Sequence, residues 1–480
     1  MFRRLALLIA LISVSGCGRE EKVNLPPPVA QPPTTSAALR TSYAEIVKRV
    51  SSAVVTIRTE SRARAPRQFP FMDDPFFRRF FGEPSTPAPE QRVRGLGSGV
   101  IVTADGYVLT NHHVIDGAQQ IEVEMQGPRI VTAKLVGSDP PSDLAVLKID
   151  GEGLSALALA DSDKAQVGDI VLAVGNPLGI GQTVTLGIIS AKGRRTGLSN
   201  GSFEDFLQTD APINRGNSGG ALVDVNGDLV GINSQILSPS GGSIGIGFAI
   251  PSNMARDVLD QIVKHGKVIR GHLGIVVQPV TEDIAASLKL NNAKGVIVSQ
   301  VQPGSAADRA GLKRGDVILA LNGDLVSDSN SFRNDIAGTP PGRTVTLRIF
   351  RDGSEQELRP TLGEFVPEER PSRPAEESSP QPGASENGRL GLAVQPLTPA
   401  LAREFGISAD TQGLVVVDLD PFGPAAEAGI QRGDVIEQVN QQPIRSVADL
   451  MAAVERSGKN PLLLLVNHRG TTIFVTIRPR

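Results

Sequence analysis

Asp210-Ala-Pro-Ile-Asn-Arg-Gly-Asn-Ser-Gly-Gly220 runs directly into Ala221-Leu-Val-Asp-Val-Asn-Gly-Asp-Leu-Val-Gly-Ile232. Glycine loses more conformational freedom on folding than any other residue, so several of them around one serine mark a backbone that turns tightly or admits a close neighbour. The apolar residues flanking Asn226-Gly227 read as a β-hairpin with an Asn-Gly turn. Ser218 is thereby placed on a tight turn at the entry to a hairpin, with backbone N–H groups pointing outward. Whether that serine carries chemistry depends on its surroundings.

Those surroundings are rich in β signals. Across residues 97–251, short runs such as GSGVIV, YVLTN, QIEVEM, LAVLKI, DIVLAVG and TVTLGIIS alternate with Gly, Asp and Asn turns. Strands of this kind without intervening helical patterns argue for an antiparallel all-β domain, a barrel or a sandwich. Ser252 is expected to cap a following helix, NMARDVLDQIVKH, that stops at Gly266. Upstream, residues 43–50 read as a short helix leading into a strand at 53–59. Residues 60–94 read as one long mobile loop, functional or disordered, in which six of the sixteen phenylalanines fall between Phe69 and Phe81; the alternative is that residues 73–82, DDPFFRRFFG, form a short amphipathic helix packed on its own domain.

A chain of 480 residues exceeds one hydrophobic core and implies two to four domains. A net charge of −3 gives no reason to expect a nucleic-acid partner, and 51 Gly, 35 Pro and no Trp favour β-rich, turn-rich structure with linkers. No stretch after residue 20 has eighteen consecutive apolar residues, so no internal membrane span is expected. The N-terminus has the layout of a secretory signal over residues 1–16, basic at Arg3 and Arg4 and apolar from Leu5 to Val14. Val14-Ser-Gly-Cys17 resembles the lipobox of bacterial lipoproteins, which makes Cys17, the sole cysteine, the expected lipid attachment point. An inert thiol or an intermolecular disulfide are the other readings of a lone cysteine. Gly18 after it points to the outer rather than the inner membrane. Residues 17–40 are proline-rich and form an expected tether, reaching on the order of 60 Å.

Beyond residue 270 the chain repeats itself. Ala310-Gly-Leu-Lys-Arg-Gly-Asp-Val-Ile318 recurs as Ala428-Gly-Ile-Gln-Arg-Gly-Asp-Val-Ile436, shifted by 428 − 310 = 118 residues. Two copies are too few for a solenoid, so each is expected to be a self-contained domain of about ninety residues. Residues 268–363 and 388–479 are the two units, and residues 364–387, rich in Pro, Ser and Glu, are the expected flexible linker.

A serine hydroxyl attacks only when a base takes its proton and a third group orients that base. Of five histidines, His265 lies at a helix C-terminus, and His272 and His468 lie in the repeats. His112 and His113 remain, and their spacing does not choose between them. The carboxylate candidate is Asp143, immediately ahead of an apolar strand expected to bury it, with Asp139 as a turn-residue competitor.

Taken together, these residues resemble the HtrA (Do-like, or Deg) serine endoproteases. Thr110-Asn-His-His-Val114 is similar to their T-N-x-H-V motif, Ser142-Asp-Leu-Ala-Val146 to S-D-[I/L]-A, and Gly216-Asn-Ser-Gly-Gly220 to G-N-S-G-G. The intervals 143 − 113 = 30 and 218 − 143 = 75 agree with that resemblance, which covers about residues 40–480. It implies a mainly β chain: a chymotrypsin-like double β-barrel over residues 41–265, followed by two PDZ domains. It implies His113, rather than His112, as general base, Asp143 as its orienting carboxylate and Ser218 as nucleophile. The N–H groups of Gly216 and Ser218 form the implied oxyanion hole, and Ile213, Ile236 and Leu237 the pocket for the residue before the scissile bond. Gly271, His272, Leu273 and Gly274 in the first repeat, with Arg389, Leu390 and Gly391 in the second, occupy the implied carboxylate-binding loops. Such chemistry uses no metal and no cofactor. The implied activity is ATP-independent cleavage of unfolded envelope proteins in the periplasm of a Gram-negative-type bacterium. Its expected partners are those substrates, peptide C-termini at the PDZ domains and further copies of the chain, as trimers and their multiples. Membrane contact is expected only through the lipid. A holdase that captures unfolded chains, or a signalling protease that cuts one membrane regulator, are the competing readings.

Overall fold

A computed structural model describes residues 42–64, 90–127, 129–176, 181–196, 203–214, 216–238, 242–290, 292–366, 389–408, 411–458, 460–468 and 470–479. Cys17, the signal, the tether, nearly all of the linker and the phenylalanine-rich segment lie outside the described residues. The described chain begins its first part with the helix Ala44–Ser51, which buries Ile46 and Val50, positions four apart on one face. Seven strands follow: β1 (Val54–Arg64), β2 (Glu90–Ile101), β3 (Tyr107–Thr110), β4 (Gln120–Glu124), β5 (Ile130–Thr132), β6 (Lys134–Asp139) and β7 (Leu144–Lys148). They make one antiparallel sheet in the order β5-β4-β1-β2-β3-β7-β6. Six more, β8 (Ile170–Gly175), β9 (Thr183–Arg194), β10 (Phe206–Thr209), β11 (Ala221–Asp224), β12 (Leu229–Ile236) and β13 (Gly247–Pro251), close into a barrel in the order β10-β13-β12-β11-β8-β9.

Each sheet turns one face inward. Ile57, Val108, Val123, Leu147 and Ile149 fill the first core, and Val171, Ala173, Leu207, Leu222 and Val230 the second. The period of two along β4, where Ile121 and Val123 are buried between less buried neighbours, is the pattern of a strand with one covered face.

Several local expectations need correcting. β1 and β2 stay paired from Val54–Val100 out to Arg64–Glu90, so the ends of the expected loop are strand and only residues 65–89 fall outside the description. The hairpin of β11 and β12 is present, but a four-residue loop replaces the two-residue Asn-Gly turn, because the Asp224 carboxylate accepts the N–H groups of both Asn226 and Asp228. Ser252 does not cap the helix Ser252–His265; Pro251 holds that position, and the Ser252 hydroxyl donates to the Ala160 carbonyl. The helix ends at Gly266 in a left-handed conformation, as glycine permits.

Each repeat is a five-stranded path of antiparallel strands with one further short strand beside it. The first begins at the edge strand Ile275–Pro279 and the second at the edge strand Leu392–Pro396. Each has a core of its own, and the two also pack against each other. Val280, Ile284, Ala285, Ile297 and Val317 of the first repeat share a buried cluster with Leu463, Leu465 and Phe474 of the second. The Gln278 side chain bonds both backbone groups of Phe474, and the Thr472 hydroxyl donates to the Ser299 carbonyl. The ion pairs Arg478–Asp283 and Arg314–Glu437 lie at the margin.

Candidate active site

Ser218, His113 and Asp143 line one cleft of about 560 Å³, together with Ser234, Phe206, Ile213 and Ile236. Three elements converge there. His113 rides on the short helix His112–Ile115 that follows β3. Asp143 ends the 3-10 turn Pro140–Ser142, directly ahead of β7, and Ser218 stands before β11 in the loop that joins β10 to β11 within the barrel.

The imidazole is oriented by the carboxylate. His113 Nδ1 lies 2.9 and 2.8 Å from the two Asp143 oxygens, and the His113 backbone N–H donates to Asp143 Oδ1 at 3.0 Å. Asp143 is itself fixed from two sides. Its carbonyl accepts the His112 N–H and the Asn111 side-chain amide, and its Oδ2 accepts the Ser234 hydroxyl at 2.9 Å. Asp143 is only partly buried, its side chain 27% exposed in the cleft, rather than sealed under β7. His112 also lines the cleft but makes no bond to Asp143 through its ring: its Nε2 approaches Asp116 at 3.9 Å, and its buried Nδ1 has no partner among the described residues.

Asp139 is the turn residue its Pro140 neighbour implied, with a further partner besides. It is buried, caps the Pro140–Ser142 turn and pairs with the Arg270 guanidinium through bonds of 2.6 and 2.5 Å. The loop that carries Asp143 is thus tied to the segment that leads into the first repeat.

In the glycine cluster, a β-carbon at Gly219 would collide with the Ser98 carbonyl and the Thr110 hydroxyl, and one at Gly220 with the Val174 carbonyl. Gly216 has φ +97° and Gly219 φ +82°, in the left-handed region. Two of the three glycines therefore serve the close approach of this turn to β2, β3 and β8. The Ser98 N–H donates to the Ser218 carbonyl, and the Ser98 hydroxyl donates to the Gly216 carbonyl at 2.6 Å. Among the described residues, no acceptor is assigned to the N–H of Gly216 or of Ser218.

The expected hydrogen bond between Ser218 and His113 is not formed in this conformation. Ser218 Oγ donates instead to the Ser234 carbonyl at 2.9 Å. Ser234 was not legible as a site residue, yet it contacts both Ser218 and Asp143. Its one signal is that Asn233-Ser234-Gln235, the first two of them buried, interrupt an otherwise apolar strand. Of the expected pocket residues, Ile213 and Ile236 line the cleft, whereas Leu237 is exposed and is not among its lining.

In the repeats, Gly271 and His272 pair with Gly363 and Glu364, and Leu273 is buried. The Leu273 carbonyl accepts the Ala307 N–H, as that of Leu390 accepts the Ala425 N–H, and Gly274 and Gly391 both have left-handed φ. Arg389 donates to the Gly458 carbonyl at the end of the helix Val447–Ser457.

Residues 97–232 match the trypsin-like peptidase domain, and residues 271–362 and 415–467 each match a PDZ domain. A probable periplasmic serine endoprotease, DegP-like, of Chlamydia trachomatis is 41% identical over 91% of this chain and 86% of its own length. The chain belongs to the HtrA family of serine endoproteases. The periplasmic pH-dependent serine endoprotease DegQ of Escherichia coli K12 is 42% identical over 91% of this chain and 91% of its own length. Among solved structures, the HtrA-type protease AlgW with decapeptide is 48% identical, covers 68% of this chain and all of its own, and superposes with a TM-score of 0.57. The family supplies the activity, serine endoproteolysis, and a periplasmic location.

Proposed function

We propose that this HtrA protease uses Ser218 as nucleophile, His113 as general base and then general acid, and Asp143 as the group that orients and stabilises the imidazolium. The observation that carries this reading is the Asp143 carboxylate, which holds His113 Nδ1 on one side and Ser234 Oγ on the other, in the cleft that also contains Ser218. With Nδ1 engaged, Nε2 is left to take the serine proton. Before attack, the Ser218 hydroxyl leaves the Ser234 carbonyl and turns to His113. Its Oγ then adds to the peptide carbonyl carbon, and the resulting oxyanion accepts the N–H groups of Gly216 and Ser218, each contributing about 3–4 kcal/mol to the transition state. His113 returns the proton to the departing amine, and water hydrolyses the acyl-enzyme by the same steps.

Ile213 and Ile236 give the cleft an apolar wall, which selects small or branched apolar side chains coarsely, since one methylene is worth about 1–3 kcal/mol. Coarse selectivity suits degradation of unfolded or damaged envelope proteins, which expose such residues. The reading includes assembly into trimers and their multiples, and anchoring to the outer membrane through a lipid on Cys17. The hydroxyl bond from Ser218 to Ser234 favours a second mode, in which the resting protein holds unfolded chains without cutting them.

A fluorophosphonate that labels activated serines tests the assignment. Labelling at Ser218 is expected in the wild type, absent in Ser218→Ala, and slowed at least about 10³-fold in His113→Ala. Equal labelling of wild type and His113→Ala would remove His113 from the mechanism.

A further inference from the structure

Gly97-Ser98-Gly99 lies in β2, and its serine is fully buried. Along a strand, successive side chains point to opposite faces. Gly97 and Gly99 share the face where a β-carbon would collide with Val114, or with Ile57 and Val108. Ser98 points the other way, into the barrel half of the protease. There a β-carbon on Gly175 would lie 3.1 Å from Ser98 Oγ, and one on Gly220 3.2 Å from Ser98 Cβ, so the bare backbone of both lets the serine come close.

Every polar atom of Ser98 is engaged. Its N–H donates to the Ser218 carbonyl at 2.8 Å, and its carbonyl accepts the Thr110 hydroxyl at 2.7 Å, at the end of the strand that leads to His113. Its Oγ accepts the Asn176 N–H at 2.9 Å. A hydroxyl has one proton to give, and this one goes to the Gly216 carbonyl at 2.6 Å. Ser98 therefore belongs to the sheet that carries His113 and Asp143, yet it grips the loop of Gly216 and Ser218 at both ends.

The grip acts on the peptide planes that aim the oxyanion donors. The plane between Gly216 and Asn217 is held by Ser98 Oγ at its carbonyl and by the Asn214 carbonyl, 3.0 Å away, at its N–H. The next plane carries the Ser218 N–H, and its carbonyl, that of Asn217, accepts the Gly220 N–H at 2.9 Å. Gly216 itself has no side chain to hold it and sits at φ +97°, so its own N–H follows the plane that Ser98 fixes.

We infer that Ser98 is a positioning residue of the protease: its hydroxyl fixes the peptide between Gly216 and Asn217 and so keeps the oxyanion donors aligned with Ser218 and His113. The inference rests on the reading of the Gly216 and Ser218 N–H groups as the oxyanion hole, and adds to it what sets their direction. Those donors act on the charged oxygen of the tetrahedral state more than on the bound peptide carbonyl. Loss of the hold is therefore felt in the transition state rather than in binding.

The test uses full-length wild type, Ser98→Ala, Ser98→Cys and Ser218→Ala, each melted first to establish that it is folded at the assay temperature. A fluorogenic peptide with Val before the scissile bond gives kcat and KM. A peptide boronic acid of the same sequence, which becomes a tetrahedral anion when Ser218 Oγ adds to boron, reports on the oxyanion hole. The matching peptide carboxylic acid reports on ground-state binding. In Ser98→Ala, kcat is expected to fall at least about tenfold with KM within about twofold. Boronate affinity is expected to fall by a similar factor, and affinity for the peptide acid to stay within about twofold. Ser98→Cys keeps a weaker donor in similar space and is judged by the same comparison where Ser98→Ala does not fold. A folded Ser98→Ala with wild-type kcat and boronate affinity overturns the inference, as does a loss that falls equally on the boronate and the peptide acid. Boronate binding by the wild type and not by Ser218→Ala shows the protease reading intact whichever way Ser98 falls. A wild type that binds no boronate would sink that reading, and the inference with it.

Discussion

Asp143 holds a left-handed backbone conformation, φ 55°, that side chains other than glycine rarely adopt. Such a conformation costs on the order of 1–3 kcal/mol and persists only where neighbours impose it. Here they do: its N–H donates to Pro140, and its carbonyl accepts from His112 and from Asn111. The strain aims the carboxylate at both His113 and Ser234. Replacing Ser234 by Ala removes one charge-assisted bond and frees the carboxylate to turn, so kcat is expected to fall about tenfold with KM little changed. A change confined to KM in steady-state peptide cleavage would count against a positioning role. Gly219→Ala pits a β-carbon against the Ser98 carbonyl and the Thr110 hydroxyl at a left-handed φ. The expected loss is at least about 1–3 kcal/mol of protease-domain stability in urea unfolding. A serine, a histidine pair and two carboxylates were legible as candidates because the chemistry restricts residue types, whereas the preference for His113 over His112 came only from the family resemblance. Ser234 was not legible, because a buried serine in a strand has many structural uses and its partners come from distant segments.

At the scale of elements, the turn Pro140–Ser142 and the segment at Phe203–Asp205 connect the catalytic cleft to the first repeat. The Asp139–Arg270 pair is buried, and removing one member of a buried pair leaves the other charge without compensation, at about 3–5 kcal/mol. Asp139→Ala and Arg270→Ala are each expected to lower the melting temperature. The Asp139→Ala, Arg270→Ala double variant should lose less than the sum of the two single losses.

Asp205 adds a dependence on pH. Burial, then the charges of Asp163 and Asp328, push its carboxyl up to about 6, with Asp335 adding to them and Lys192 opposing. An acid whose pKa is raised in the docked state contributes stability that is full below its ordinary value near 3.8 and lost as pH rises through about 6. Asp328 and Asp335 lie on the docked helix and its cap, so their share of the shift is linked to docking, whereas Asp163 belongs to the same part of the chain as Asp205. Docking of the helix Ser329–Gly338 on Phe203 and Glu204, through Arg333, Asn330 and Asn334, is therefore expected to loosen as pH rises toward about 6 and to change little above about 7. Protection of that helix against amide exchange, corrected for intrinsic rates, should be higher at pH 5 than at pH 7, and Asp205→Asn should flatten the difference. The strands were legible from their β-branched runs and the helix stop from Gly266, whereas the N-cap of that helix and the length of the β11–β12 turn were not. Pro251 rather than Ser252 begins the helix because the Ser252 hydroxyl has a partner in Ala160, a long-range contact that local pattern does not carry.

For the whole molecule, the repeats behave as one paired body rather than two beads on a linker. The run Leu462-Leu-Leu-Leu-Leu-Val466 is a warning that both faces of a strand are covered. Leu462, Leu464 and Val466 face the core of the second repeat, while Leu463 and Leu465 face the first. Val296, Ile297 and Val298 divide in the same way from the other side. That signal is present in the sequence, but it does not say which partner supplies the second cover. Leu465→Asp is expected to separate the repeats into two unfolding transitions in calorimetry, where the wild type shows one for the pair.

The central claim is that one cleft, built by Ser218, His113 and Asp143, cuts unfolded chains without a nucleotide. The direct measurement is cleavage of one substrate protein, reduced and unfolded or native and folded, by wild type and by Ser218→Ala in the absence of ATP. Rapid cleavage of the unfolded form by wild type alone, with the folded form spared, is the predicted result. Cleavage that persists in Ser218→Ala, or a wild type that cuts both forms equally, would contradict it.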